Sequence, residues 1–157
     1  MKTTLAISQM SVSKDYEENI KKATKLIREA KSKGADLILL QELFERPYFC
    51  QIEDYERFDY AEEYEHSKTL EYFQKLAKEL EIVLPISFFE KSGNCYYNSI
   101  CVIDKDGERK GLYRKTHIPT GQCYEEKFYF TPGDTGFKVF DTKAGKVGIG
   151  ICWDQWF

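Results

Sequence analysis

Three reactive side chains stand where β-strands would end. Glu42 follows the apolar run 37–40, Lys115 closes GlyLeuTyrArgLys at 111–115, and Cys152 follows LysValGlyIleGlyIle at 146–151. Residues of these three types, if brought together, could supply the nucleophile, base and cation of an acyl-transfer reaction. A free cysteine has a pKa of ~8.5, so only a few per cent is thiolate at neutral pH and a useful nucleophile needs a neighbouring base or cation. Glu42 can take the thiol proton, and Lys115 can hold charge developing on a carbonyl oxygen. Each has a plainer reading when taken alone. Cysteine is often a small core residue, a strand-end glutamate often a surface acid, and lysine often a guard on a sheet edge. Each stands at the end of a strand read as parallel-type, and convergence of all three at one sheet edge would carry more weight than any one of them.

The elements that must hold them can be read from periodicity. Thr3 to Gln9 alternates as a strand. Asp15 then stands before Ile20, Ala23, Ile27 and Ala30, which recur at helical spacing, and Gly34 lies where a left-handed cap is wanted. Leu37 to Leu40 suits a strand covered on both faces. From Glu45 to Glu65 the chain is acidic and aromatic without clean period, an excursion over the surface, until Leu70, Phe73, Ala77 and Leu80 mark a second amphipathic helix. Ile82 to Phe89, Tyr96 to Ile103 and Arg109 to Arg114 read as a meander, turning at 92–94 and at Asp106-Gly107. Residues 117–136 are rich in proline and glycine and read as loop. Two short strands, 137–141 and 146–151, the second of them reading as buried, lead into Cys152. The fold class is α/β with a mixed sheet.

Bulk composition narrows the classes. A 157-residue chain with 42% hydrophobic content can bury a core as one domain, 1–157. A net charge of −3 with interspersed signs gives no basic stripe, so nucleic acid is not an expected partner. No apolar stretch is long enough for a bilayer, and the opening MetLysThrThrLeuAla has no secretory pattern, so a cytoplasmic setting without membrane association is expected. Cys50, Cys95, Cys101, Cys123 and Cys152 are odd in number and irregularly spaced, and only His66 and His117 could assist a metal, so free thiols are expected and no metal.

The blocks LeuLeuGlnGluLeuPhe at 39–44, TyrArgLysThrHisIlePro at 113–119 and GlyIleCysTrpAspGlnTrpPhe at 150–157 resemble the three signature regions of the nitrilase, or carbon–nitrogen hydrolase, superfamily, in its order. The resemblance implies a triad of Glu42, Lys115 and Cys152, with Glu126 as a further glutamate beside the lysine. It also implies a four-layer αββα sandwich of which this chain is about the N-terminal half; the backbone N–H of Trp153, next after the cysteine, is a candidate oxyanion donor, and hydrolysis through the thiol calls for no cofactor. That chain stops five residues after Cys152, so the domain is expected to be incomplete. The segments 44–51, 124–140 and 152–157 are most similar to the N-carbamoylputrescine amidase branch, which implies a small ureido or amide substrate and a homo-oligomer at full length. The loop 117–124 departs from that branch and puts Cys123 near the site. A distal ammonium on the substrate would find acids in Glu53 to Glu65 and at Glu125, whereas the distal carboxylate of the alternative substrates, β-ureidopropionate or an ω-amide of a dicarboxylic acid, would call for Arg46. The other class of reading is a non-catalytic module that keeps the fold.

Overall fold

The computed structural model describes Lys2–Phe157. The chain opens with strand β1 (Leu5–Ile7), helix α1 (Tyr16–Ser32) and strand β2 (Leu37–Leu39), with β1 and β2 parallel and Leu5 opposite Leu37. Helix α1 begins where the Asp15 carboxylate accepts the Glu18 N–H, and it ends in a turn where Gly34 takes φ +86°, a left-handed value that costs glycine least. Helix α2 (Lys68–Leu80) starts at Ser67, whose hydroxyl accepts the Leu70 N–H.

Strands β4 (Leu84–Ser92), β5 (Cys95–Ile103) and β6 (Arg109–Arg114) form the antiparallel meander. A bridge from Leu37 to Val83 joins β2 to the entry of β4. Helices α1 and α2 bury Ile20, Ile27, Leu70 and Phe73 against Ile38, Leu84, Ile86 and Phe88 of these strands. That burial of apolar area is the main driving force for assembling the layer.

The surface excursion has more structure than its sequence suggests. It holds three short 3-10 helices and a two-residue strand, β3 (Glu62–Glu63), which pairs in parallel with Glu90 and Lys91 of β4. Its rings are fastened inward, with Phe49, Phe58 and Tyr60 packing against Phe89, Tyr96 and Tyr129. The loop 117–136 likewise contains a single turn of helix, α3 (Glu126–Tyr129).

Three expectations need correction. The last hairpin is β7 (Val139–Thr142) with β8 (Gly145–Gly148), so strand pairing stops three residues before Ile151, and β8 is mostly exposed rather than a buried core strand. Two of its four residues are glycine, and only Val147 packs, in part, against the core. The strands that precede Lys115 and Cys152 are antiparallel, and only β2, before Glu42, is in a parallel pair. Leu39 is 42% exposed, so β2 is covered fully on one face only.

Candidate active site

Glu42 leaves β2 on a pinned loop. The Gln41 side chain donates to the Met10 carbonyl (2.8 Å) and accepts the Met10 N–H (2.9 Å), while Leu43, held at φ +49°, donates its N–H to the Ser87 hydroxyl (2.9 Å). Lys115 extends β6 by one residue. Its N–H donates to the Asn98 carbonyl (2.8 Å), and its carbonyl accepts the Gly133 N–H (2.8 Å). Position 133 must be glycine, because a Cβ there would stand 2.1 Å from the Arg114 carbonyl oxygen. Glu126 is the first residue of α3 and is buried beneath it. Cys152 opens a short 3-10 helix (Cys152–Trp156) at φ +46°, a left-handed conformation that costs a residue with a Cβ roughly 1–3 kcal/mol and clusters at functional sites.

These elements bring four predicted residues together. Carboxylate oxygens of Glu42 and Glu126 and the Cys152 sulfur lie within 4.8 Å of one another. The Lys115 ammonium, wholly buried, bridges the two acids at 3.2 Å from Glu42 Oε1 and 2.6 Å from Glu126 Oε2. The Trp153 N–H lies against the sulfur, while the Trp153 ring turns outward to face Tyr124 at 6.5 Å. Cys123 is exposed at φ +70°, and Arg46 sits over the Tyr60 ring at 4.3 Å.

Burial opposes the Lys115 charge, but the neighbouring Glu42 and Glu126 outweigh it and hold the ammonium's pKa above the ordinary lysine value. Burial pushes Glu126 up, with Lys115 and the Tyr48 hydroxyl acting against the shift. Burial, then the Glu42 charge, also raises Cys152, with Lys115 and the Trp153 N–H pulling the other way. The resting thiol therefore keeps its proton, and the arrangement suits removal of that proton by Glu42 during attack rather than a preformed thiolate. Buried Cys50 and Cys101 are raised much further, Cys101 to about 12, so those thiols are inert. Oxygen and sulfur donors from Glu42, Glu126 and Cys152 could in principle surround a metal ion. The Lys115 ammonium already supplies the positive charge between the two carboxylates, so the donor set is complete without one.

Three contributors were not legible as site residues. The Tyr48 hydroxyl donates to Glu126 Oε1 at 2.7 Å, and Asn98 Nδ2 donates to Glu42 Oε1 at 2.5 Å. Asp154 receives Tyr113, His117 and Ile151 around the cysteine turn. Asn98 left one signal, an amide with poor strand preference inside TyrTyrAsnSerIleCysValIle, the kind of local inconsistency that marks functional positions. The acids from Glu53 to Glu65 are partly spent elsewhere, since Asp54 pairs with Arg57 at 3.0 Å and Glu62 accepts from Ser67 and Thr69 at the start of α2.

The family profile described as carbon-nitrogen hydrolase matches residues 4–157. The chain is 54% identical over 156 residues to an N-carbamoylputrescine amidase of Oryza sativa subsp. japonica, covering 99% of this chain and 52% of that protein. It is 48% identical to a citrullinase of Francisella tularensis, over 98% of this chain and 54% of that protein. It superposes on a carbon-nitrogen hydrolase from Helicobacter pylori G27 with a TM-score of 0.93 at 39% identity, covering 99% of this chain and 53% of the other. The chain thus spans about half the length of the curated relatives it matches.

Proposed function

The chain belongs to the carbon–nitrogen hydrolase family, and we propose that it carries the nucleophilic half of an amidohydrolase cleaving N-carbamoylputrescine to putrescine, carbon dioxide and ammonia. The observation that carries this reading is the Cys152 sulfur within 4.8 Å of both carboxylates, with a buried lysine bridging them. The similarity to N-carbamoylputrescine amidases at about half of their sequence supports the choice of substrate. The product would feed polyamine synthesis, and a reducing cytoplasm would keep Cys152 a thiol.

In this mechanism Cys152 Sγ attacks the ureido carbonyl carbon while its proton passes to Glu42. The oxyanion is held by the Lys115 ammonium and the Trp153 N–H; loss of one such donor typically costs ~3 kcal/mol in the barrier. The carbon–nitrogen bond to the terminal nitrogen breaks, Glu42 returns the proton, and ammonia leaves. Water, deprotonated by Glu42, then attacks the S-carbamoyl thioester and regenerates the thiol. The released carbamic acid falls apart to carbon dioxide and the free amine, so no redox partner is needed. Glu126 holds Lys115 in place and Tyr48 holds Glu126. The distal ammonium of the substrate would meet the outward-facing rings of Tyr124 and Trp153 together with Glu125.

A second reading has its own support. A cavity of about 260 Å³ lined by Lys14, Arg46, Tyr48, Arg57 and Tyr60 gathers three cations, and a citrullinase is among the relatives, which favours a ureido substrate ending in a carboxylate. The exposed Leu5, Ile7 and Leu39 along β1 and β2 support burial of that face in a homo-oligomer or against further chain.

Ammonia release by the full-length protein from N-carbamoylputrescine, citrulline, β-ureidopropionate and glutaramate decides between these readings. The expected result is preference for the first, abolished by Cys152→Ala and indifferent to Arg46→Ala. Preference for the carboxylate substrates, lost in Arg46→Ala, would replace the diamine reading, and silence on all four would leave the non-catalytic module.

A further inference from the structure

Asp154 is 6% exposed and accepts four hydrogen bonds, each from a group that borders a reactive residue. Its Oδ2 accepts the Ile151 N–H (2.9 Å) and the Tyr113 hydroxyl (2.7 Å). Its Oδ1 accepts the His117 N–H (2.9 Å) and faces His117 Nδ1 (2.8 Å), which the carboxylate favours as a donor. Asp154 also donates its own N–H to the Ile151 carbonyl (3.0 Å), closing the turn over Cys152 from both sides.

The placement is specific. Ile151 immediately precedes the nucleophile, while Tyr113 and His117 stand two residues before and two residues after Lys115. One carboxylate therefore ties the strained Cys152 turn to both flanks of the lysine. Among the described residues no strand pairing does this, because β8 ends at Gly148 and lies in a sheet separate from that of β6. We infer that Asp154, through Tyr113 and His117, is the positioning residue that sets Cys152 against Lys115 and Glu42. His117 is in turn fixed by stacking on Phe157, with ring centroids 4.0 Å apart and planes 11° apart.

A carboxylate is required because all four partners donate. Asparagine has the same shape but offers one oxygen, so whichever way it is turned a backbone N–H, of Ile151 or of His117, would face its NH2 group. For its kinetic arm the inference rests on the amidohydrolase reading, and thiol chemistry gives an arm that does not. Asp154→Asn, Tyr113→Phe and His117→Ala are made in the full-length protein. Cys152 alkylation by iodoacetamide is followed against pH, with steady-state ammonia release alongside. In Asp154→Asn the expected results are Cys152 alkylation slowed by about 10-fold or more near neutral pH and kcat lowered about 100-fold with KM held within about 2-fold, as misplacement of a reacting group by about 1 Å can produce. Each single-donor variant is expected to lose kcat by a smaller factor, again at constant KM.

Wild-type alkylation and kcat in Asp154→Asn would overturn the inference. Labelling of Cys50 or Cys101 would report unfolding of that variant. Tyr113→Phe and His117→Ala then decide, unchanged kcat in both overturning the inference and loss at constant KM upholding it. A wild type that releases no ammonia from any ureido substrate would fail the functional reading alone, and the alkylation profiles would still decide the role of Asp154.

Discussion

Arg114 and Lys115 are neighbours in the chain at the end of β6, both cations, both largely buried, and each held by two carboxylates. They face opposite sides of the sheet. Arg114 donates Nε and Nη2 to the two oxygens of Glu90, with Nε at 2.9 Å, and Nη1 to Asp134 at 2.9 Å, and its guanidinium lies 4.0 Å over the Tyr97 ring. Ser99 donates to the remaining capacity of Glu90 at 2.6 Å, so that cluster is saturated. The Lys115 cluster is not. It includes an accessible thiol, and beside it the buried Asn98 Oδ1 has no hydrogen-bond partner among the described residues. A planar fork locked to a carboxylate makes a rivet, whereas a point charge between two acids beside an accessible thiol leaves the cluster open on one side.

That contrast breaks if the two cations can exchange roles, so the largest expected effects come from removing them one at a time. Lys115→Met is expected to lower ammonia release by at least about a thousand-fold, the scale seen when a member of a catalytic unit is lost. Its effect on stability is expected to be milder, because Glu126, already pushed up by burial, can take a proton. Arg114→Met leaves Glu90, 1% exposed, without its partner and should lose about 3 kcal/mol in urea unfolding, while each folded molecule keeps its kcat. Full activity in folded Lys115→Met, or an activity defect in Arg114→Met at unchanged stability, would erase the distinction.

The carboxylates sharpen it at a smaller scale. Glu126→Gln keeps the hydrogen-bonding shape toward Tyr48 but drops the charge that shares Lys115 with Glu42, and kcat should fall about 10–100-fold, the usual cost of losing a group that orients a reactive one. Glu90→Gln should cost about 1.5–3 kcal/mol of stability, as weakened charged hydrogen bonds do, and leave kcat alone. Side-by-side kinetics and chemical denaturation of the two variants read both quantities.

What the sequence made legible follows the range of the forces involved. Helices α1 and α2 and the β4–β6 meander were readable because helical period, caps and turns act within a few residues. Helix α3, strand β3 and the true end of β8 were not, since their limits are set by packing against distant parts of the chain. The site divides in the same way. Glu42, Lys115 and Cys152 were weak candidates by type alone, and the three ordered blocks singled them out, whereas Glu126 showed only through resemblance. Tyr48 reaches Glu126 across 78 positions, Asn98 reaches Glu42 across 56, and Tyr113 reaches Asp154 across 41, separations over which local patterning carries no signal.

Glu45 provides the control that both clusters lack, a buried acid without an ion-pair partner. It is 7% exposed, its Oε2 has no hydrogen-bond partner among the described residues, and burial, followed by the nearby Glu62 charge, raises its pKa from 4.5 to about 7 against the pull of Arg46. The sign follows from proton linkage. The folded value lies above the unfolded one, so between pH 4.5 and about 7 the native state binds more protons than the unfolded chain. The stabilising contribution of the protonated acid is fully present below pH 4.5 and is lost as pH rises through about 7. Glu45→Gln substitutes a neutral side chain of the same size, so it should change little at pH 5 and stabilise the protein by on the order of 2 kcal/mol at pH 8, within the limit set by 1.4 kcal/mol per pKa unit. Urea unfolding at the two pH values measures the difference. Equal stability of wild type and Glu45→Gln at both would mean that water or Arg46 already satisfies the carboxylate, and that partnering, rather than burial, does not separate Glu45 from Glu90 and Glu126.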